Sequence, residues 1–186
     1  MFYANQYLIL LINIIKGKIM NVEKTNLDGV LIIDPPTNFK DFRGSYVEIY
    51  NERLYKENGI PQHFIQDDIS TSTKDVLRGI HGDASTTKLV SCLYGAFYLV
   101  VVNNNPDHHQ FKQWQSFELS DQNRKQILIP PMFGNGHLVL SDLAIFNYKQ
   151  TTEYNREGQF TIIWNDPEYN ISWPINKPIL SERDSG

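Results

Sequence analysis

Leu89-Val90-Ser91-Cys92-Leu93-Tyr94-Gly95-Ala96-Phe97-Tyr98-Leu99-Val100-Val101-Val102 is a long apolar run with a single glycine, Gly95, inside it. A glycine inside a strand pattern predicts a bend or a hairpin at that point. Asn103-Asn104-Asn105-Pro106-Asp107 follows at once and reads as a turn. The same rhythm extends in both directions. Upstream, residues 30–33, 45–50 and 64–69 are short strand candidates, and Asp34-Pro35-Pro36 breaks the first of them. Asn51 is placed to cap a short helix through Lys56, which Asn58-Gly59 ends. Downstream, residues 113–119, 126–129, 137–140, 144–150 and 159–164 are further strand candidates. No segment carries a long 3.6-residue periodicity. Many short strands with little helix predict an all-β sandwich or barrel, of which a jelly roll is one form.

The 186 residues suffice for one domain with a real core. Hydrophobic residues make up 41% and charged residues 20%, which suits a soluble globular chain and excludes disorder. A net charge of -4 argues against general nucleic-acid binding, which needs a basic footprint. The lone cysteine, Cys92, excludes an internal disulfide and a multi-cysteine metal site, and its apolar surroundings predict a buried hydrophobe. A cytoplasmic location is expected. Residues 7–15 are apolar but too short to span a bilayer comfortably, and they lack a basic flank and a cleavage site. Residues 1–19 are therefore read as an upstream extension, with Met20 the natural start and 20–186 one domain; an added element that packs on a partner is the other reading. No membrane association is expected.

Arg78-Gly79-Ile80-His81, with Lys88 after it, sets a histidine near two cations. Histidine exchanges protons near neutral pH, and a cation beside it can hold a developing enolate. A structural histidine and two surface charges are the plain alternative. In Phe146-Asn147-Tyr148-Lys149, strand alternation puts Tyr148 on the same side as Phe146. Tyr148 is then either a buried aromatic or a proton donor lining a pocket. Asp184 reads as a solvated tail residue, or as a carboxylate that holds a histidine in one tautomer. A metal site is poorly supported: Gly82 and Asp83 follow His81, and the adjacent His108 and His109 would point to opposite faces if extended. Gly134-Asn135-Gly136 reads as a turn, not as a phosphate-binding loop.

The ordered set of motifs resembles the nucleotide-sugar 3,5-epimerase family. It comprises Asp41-Phe42-Arg43-Gly44-Ser45-Tyr46-Val47-Glu48, Gln66-Asp67-Asp68-Ile69-Ser70, Val76-Leu77-Arg78-Gly79-Ile80-His81, Lys88-Leu89-Val90, Trp164-Asn165-Asp166, Trp173-Pro174 and Leu180-Ser181-Glu182-Arg183-Asp184. The resemblance implies a cupin jelly roll with short peripheral helices, a homodimer, and no metal or cofactor. It implies His81 as general base, Asp184 as its orienter, Lys88 at the enolate oxygen and Tyr148 as the proton carrier on the other face. Arg43, Glu48, Gln66 and Arg78 are implied to bind the diphosphate or sugar of a nucleotide-linked 4-keto sugar, with Arg43 reaching the neighbouring subunit's site.

This chain departs from the family's usual Pro-x-Gly-Phe-Ala-His-Gly-Phe. It has Pro130-Pro131-Met132-Phe133-Gly134-Asn135-Gly136-His137, so Asn135 stands where the pocket histidine is expected and His137 follows two positions on. Both join the expected substrate-binding set. These departures are similar to those of a branch acting on GDP-linked 4-keto-heptoses in bacterial capsule synthesis. That substrate is the expectation, with dTDP-4-keto-6-deoxyglucose, a ketoisomerase reaction or a non-catalytic sugar-nucleotide cupin as alternatives.

Overall fold

The computed structural model describes residues 20–35 and 38–186. The reading of residues 1–19 lies outside the described residues. Among the described residues there are thirteen strands, beginning with β1 (Asn21–Lys24) and β2 (Leu31–Asp34). Then come β3 (Asn38–Asp41), β4 (Gly44–Val47), β5 (Gln66–Thr73), β6 (Leu77–Gly82), β7 (Lys88–Tyr94) and β8 (Ala96–Asn103). The last are β9 (Trp114–Ser120), β10 (Gln126–Ile129), β11 (Phe133–Val139), β12 (Leu143–Gln150) and β13 (Phe160–Thr161). Two short helices complete the described fold, α1 (Glu52–Glu57) and α2 (Glu182–Ser185). No helix among the described residues is long and apolar enough to cross a membrane.

One sheet runs β1-β2-β10-β7-β12-β5, the other β13-β6-β11-β8-β9, and β3-β4 form a hairpin of their own. The long apolar run becomes β7 and β8, and Gly95 at φ +74 is the corner that sends them into different sheets. That corner explains the fold's sandwich form. Val90 and Cys92 from β7, Phe97, Leu99 and Val101 from β8, and Phe146 from β12 meet between the sheets in one core. Alternation along each strand sends these side chains inward. Cys92 is buried in that core, and burial pushes its thiol up to about 12. A second cluster, including Ile33, Tyr55, Ile60 and Leu89, packs α1 against the outer face of the larger sheet. Asn51 caps α1 as its sequence suggests, its side chain accepting from the Leu54 N–H.

Two local expectations are corrected. Gly134-Asn135-Gly136 is not a turn but the middle of β11, paired with β8 throughout. Its glycines serve close packing: a Cβ at Gly134 would lie 2.7 Å from Ile80 Cγ2, and one at Gly136 3.0 Å from Ile80 Cγ1. His108 and His109 do not diverge, because their backbone turns instead of extending. Their rings lie 4.5 Å apart and both face Asp28.

Candidate active site

The inward-facing positions turn polar where β6, β7, β11 and β12 approach one another. His81 lies near the end of β6, and Lys88 opens β7 with the same parity as Val90 and Cys92. Asn135 and His137 come from β11, and Tyr148 from β12, two residues past the core Phe146. The C-terminal helix α2 closes over them and brings in Arg183 and Asp184. Together these groups line a cavity of about 290 Å³.

Asp184 is the correction to a solvated tail: only 4% of it is exposed. Its Oδ1 lies 2.8 Å from His81 Nε2. The contact is off the ideal hydrogen-bond line, and among the described residues neither atom has a well-aligned hydrogen-bond partner. Such contacts tighten when substrate fills a site. Oδ2 accepts from Ser181 Oγ at 2.8 Å. Burial pushes the Asp184 carboxyl up, but hydrogen bonds from His81, Ser181 and the Gly79 backbone outweigh it and hold the group below its usual range. A carboxylate is thereby fixed beside the imidazole.

Lys88 is buried, and its Nζ donates to Asn135 Oδ1 at 3.2 Å. Burial lowers its pKa; Asp83 opposes that shift and Arg183 adds to it. The result is a poorly solvated cation aimed into the cavity. Tyr148 lines the same cavity from β12, the strand next to β7 in the larger sheet, so it faces His81 of the smaller sheet. Burial, helped by the nearby Asp68 charge, pushes the phenol up to about 12, so the hydroxyl keeps its proton at neutral pH. His137 is buried and stacks on Phe146, with ring centres 4.1 Å apart. Arg78 lies at the rim, its Nε bonded to Ser72 Oγ at 2.8 Å.

Three expected residues stand apart. Gln66 is not a cavity residue: its Oε1 accepts from the Tyr154 N–H at 2.8 Å and its Nε2 donates to Asp68 at 2.7 Å. It positions the loop that supplies Tyr154. Glu48 accepts from Asn51 Nδ2 at 3.1 Å beside the helix cap, away from the cavity. Arg43 sits on the β3–β4 turn, held by Asp41 at 2.6 Å. The sequence reading missed Arg156, Gln159, Arg183 and Tyr154, all of which line the cavity. Arg183 had a usable signal, because it adjoins Asp184 in a quoted motif. The other three lie in or at the end of an irregular loop that offers no periodicity. Among the described residues, Asp28, His108 and His109 are close enough to suggest a metal group. His108 Nδ1, however, accepts from the Gln110 N–H at 3.1 Å, which leaves its proton on Nε2, facing Asp28. That ring offers the carboxylate a donor, not a metal a lone pair.

Residues 24–186 match the family described as dTDP-4-dehydrorhamnose 3,5-epimerase. The chain belongs to this epimerase family. The Escherichia coli K12 dTDP-4-dehydrorhamnose 3,5-epimerase is 41% identical over 170 residues, covering 89% of this chain and 91% of that one. The crystal structure of a dTDP-6-deoxy-D-glucose-3,5-epimerase from Legionella pneumophila, in complex with dTDP-4-keto-L-rhamnose, superimposes with a TM-score of 0.85 at 38% identity, covering 90% of both chains. The Elizabethkingia anophelis dTDP-4-dehydrorhamnose 3,5-epimerase gives 0.81 at 40% identity, covering 90% of this chain and 94% of that one. The cupin jelly roll implied by the motifs therefore stands, and membership makes the protein an isomerase of nucleotide sugars. None of these dTDP-sugar epimerases supports the expected closeness to GDP-heptose enzymes.

Proposed function

We propose that the protein inverts C3 and C5 of a dTDP-linked 4-keto-6-deoxy-hexose through an enolate, without a cofactor. The observation that carries this is the placement of a base and an acid on opposite walls. His81 comes from the smaller sheet and Tyr148 from the larger, with the cavity between them. The C4 ketone acidifies the hydrogens on its neighbouring carbons. His81, held by Asp184, removes one from the first face. The electrons move to the C4 oxygen, where the Lys88 ammonium stabilises the negative charge. The Tyr148 hydroxyl returns a proton to the same carbon from the other face. Both groups then exchange with water before the second carbon reacts. The raised Tyr148 pKa fits an acid, and Asn135 fixes the lysine that meets the enolate.

The arrangement argues against a non-catalytic cupin, because His81 points into the cavity within reach of Asp184. The relatives' names favour a dTDP sugar. A GDP-linked 4-keto-heptose remains the second reading on one observation: Asn135 and His137 both line the cavity. The two are tested together by incubating each nucleotide sugar with the protein in heavy water. Deuterium entering at C3 and C5 of the dTDP sugar is expected. Exchange only with the GDP-heptose would replace the main reading with the second, a moved carbonyl would indicate a ketoisomerase, and no exchange with either would end both epimerase readings.

The working unit is a homodimer. Its support is the β3–β4 hairpin, which forms a sheet of its own and carries Phe42, 98% exposed, beside Arg43. A second copy would cover that ring and receive Arg43 at its diphosphate site. Sedimentation equilibrium of the wild type and Phe42→Ser tests this, and a wild-type monomer would overturn it.

A further inference from the structure

We infer that His137 is a specificity-determining residue, whose imidazole hydrogen-bonds a hydroxyl of the bound sugar from the inner wall of the cavity. The inference rests on the nucleotide-sugar reading and deepens it. His137 is 4% exposed, but its ring nitrogens are not among the side-chain atoms sealed from solvent without a partner, and the residue lines the cavity, so its polar edge opens there. A polar edge open to a cavity bonds water when the site is empty, and a ligand that displaces that water must supply a partner in its place. Its carbon faces are satisfied: the ring stacks on Phe146 with an interplanar angle of 7°, and Phe97 lies 5.2 Å away. Its open polar edge belongs to the cavity lining.

The surroundings select the ligand group. Burial, with the charge of Arg78 adding to it and Asp184 opposing, pushes the His137 pKa down to about 3, so the ring is neutral whenever the protein is folded near neutral pH. A neutral imidazole is a poor phosphate ligand but both donates to and accepts from a hydroxyl. The phosphates have better partners at the rim, where Arg78 and Arg156 are exposed. Nor can His137 act as the acid, since it holds no extra proton to give. A site built around a substrate hydroxyl rejects sugars that lack it, because its own polar edge is then left unpaired.

The test uses His137→Phe, which keeps the aromatic stack and removes the nitrogens. Titration calorimetry compares dTDP with dTDP-glucose, and GDP with GDP-mannose, on the intact protein. The variant is expected to bind the sugar nucleotide about 10-fold more weakly and the bare diphosphate unchanged, the size of one lost hydrogen bond. Deoxy-sugar nucleotides should identify the hydroxyl: for the one that lacks it, wild type and variant bind equally. If His137→Phe binds every sugar nucleotide as wild type does, His137 only packs and the inference falls while the epimerase reading stands. If wild type binds no sugar nucleotide at all, both fall. His137→Gln, which retains a donor and an acceptor, should restore part of the lost affinity; a merely structural role would not show that rescue.

Discussion

The His81 cavity and the β3–β4 hairpin carry residues from the same set of motifs, yet the fold treats them differently. His81, Lys88, Asn135, His137 and Tyr148 sit on strands whose alternation and pairing fix them, and α2 locks Asp184 against the first of them. The hairpin's two strands pair only with each other among the described residues. Its Arg43 is held by its near neighbour Asp41 and lies over the ring of Phe42, which is itself in the open. One region is organised within a single chain. The other presents an exposed ring and an exposed guanidinium, the features on which the proposed dimer rests. The chemistry should therefore depend on the first region and the assembly on the second.

The largest effect that would break this contrast is at the base. His81→Asn should lower kcat by about 10³-fold, within the usual range for a general base, while circular dichroism shows an intact fold. Retention of deuterium exchange at C3 by this variant would remove His81 from its role. Lys88→Met should cost about 10²-fold in kcat with little change in KM, because the enolate charge exists only after the proton leaves. A pure KM effect would instead make Lys88 a binding residue. Arg43→Ala should do the opposite, raising KM about 10-fold through the neighbouring site with Tm unchanged, as expected for an exposed residue. If Arg43→Ala lowers kcat as His81→Asn does, the contrast fails.

The last effect is on acid stability and leaves the chemistry at neutral pH untouched. The unfolded chain protonates His137 near its ordinary value of 6.5, whereas the folded ring stays neutral to about 3. The unfolded state thus binds the extra proton between those values, and stability falls as pH drops through that window, by about 1 kcal/mol per pH unit. Asp184 adds to the loss at the lower end: its folded pKa is depressed, so its contribution is present above the unfolded value and disappears as pH falls through the folded one. His137→Phe should flatten the dependence of Tm on pH between 6 and 4 without raising Tm at pH 8. A slope equal to wild type would contradict the buried, neutral ring.

Much of the fold was legible because turns and alternation are local. The run at residues 89–102, broken at Gly95, announced β7 and β8, and Asn51 announced α1. What the sequence hid was the reason for a glycine. Gly134 and Gly136 look like turn residues, but they exist because Ile80 of the neighbouring strand β6 presses on β11. That contact joins segments far apart in the chain, and no window of sequence contains it. Asp184 was hidden in the same way: polar neighbours suggested solvent, and only the docking of α2 buries it. His81, Lys88 and Tyr148 were visible as chemistry, whereas their meeting in one cavity was visible only through family resemblance. Gln66 shows the limit of that resemblance, since the motif was present but its side chain braces a loop instead of lining the cavity.

Cys92 gives the molecule a built-in clock. It is the only thiol in the chain, it lies in the core shared by both sheets, and its pKa of about 12 keeps it protonated in the native state. A disulfide reagent needs the thiolate and needs access, and the folded protein offers neither. Labelling of the native protein therefore reports how often the two sheets part, and its rate across denaturant concentrations measures the opening of the sandwich itself with no engineered probe.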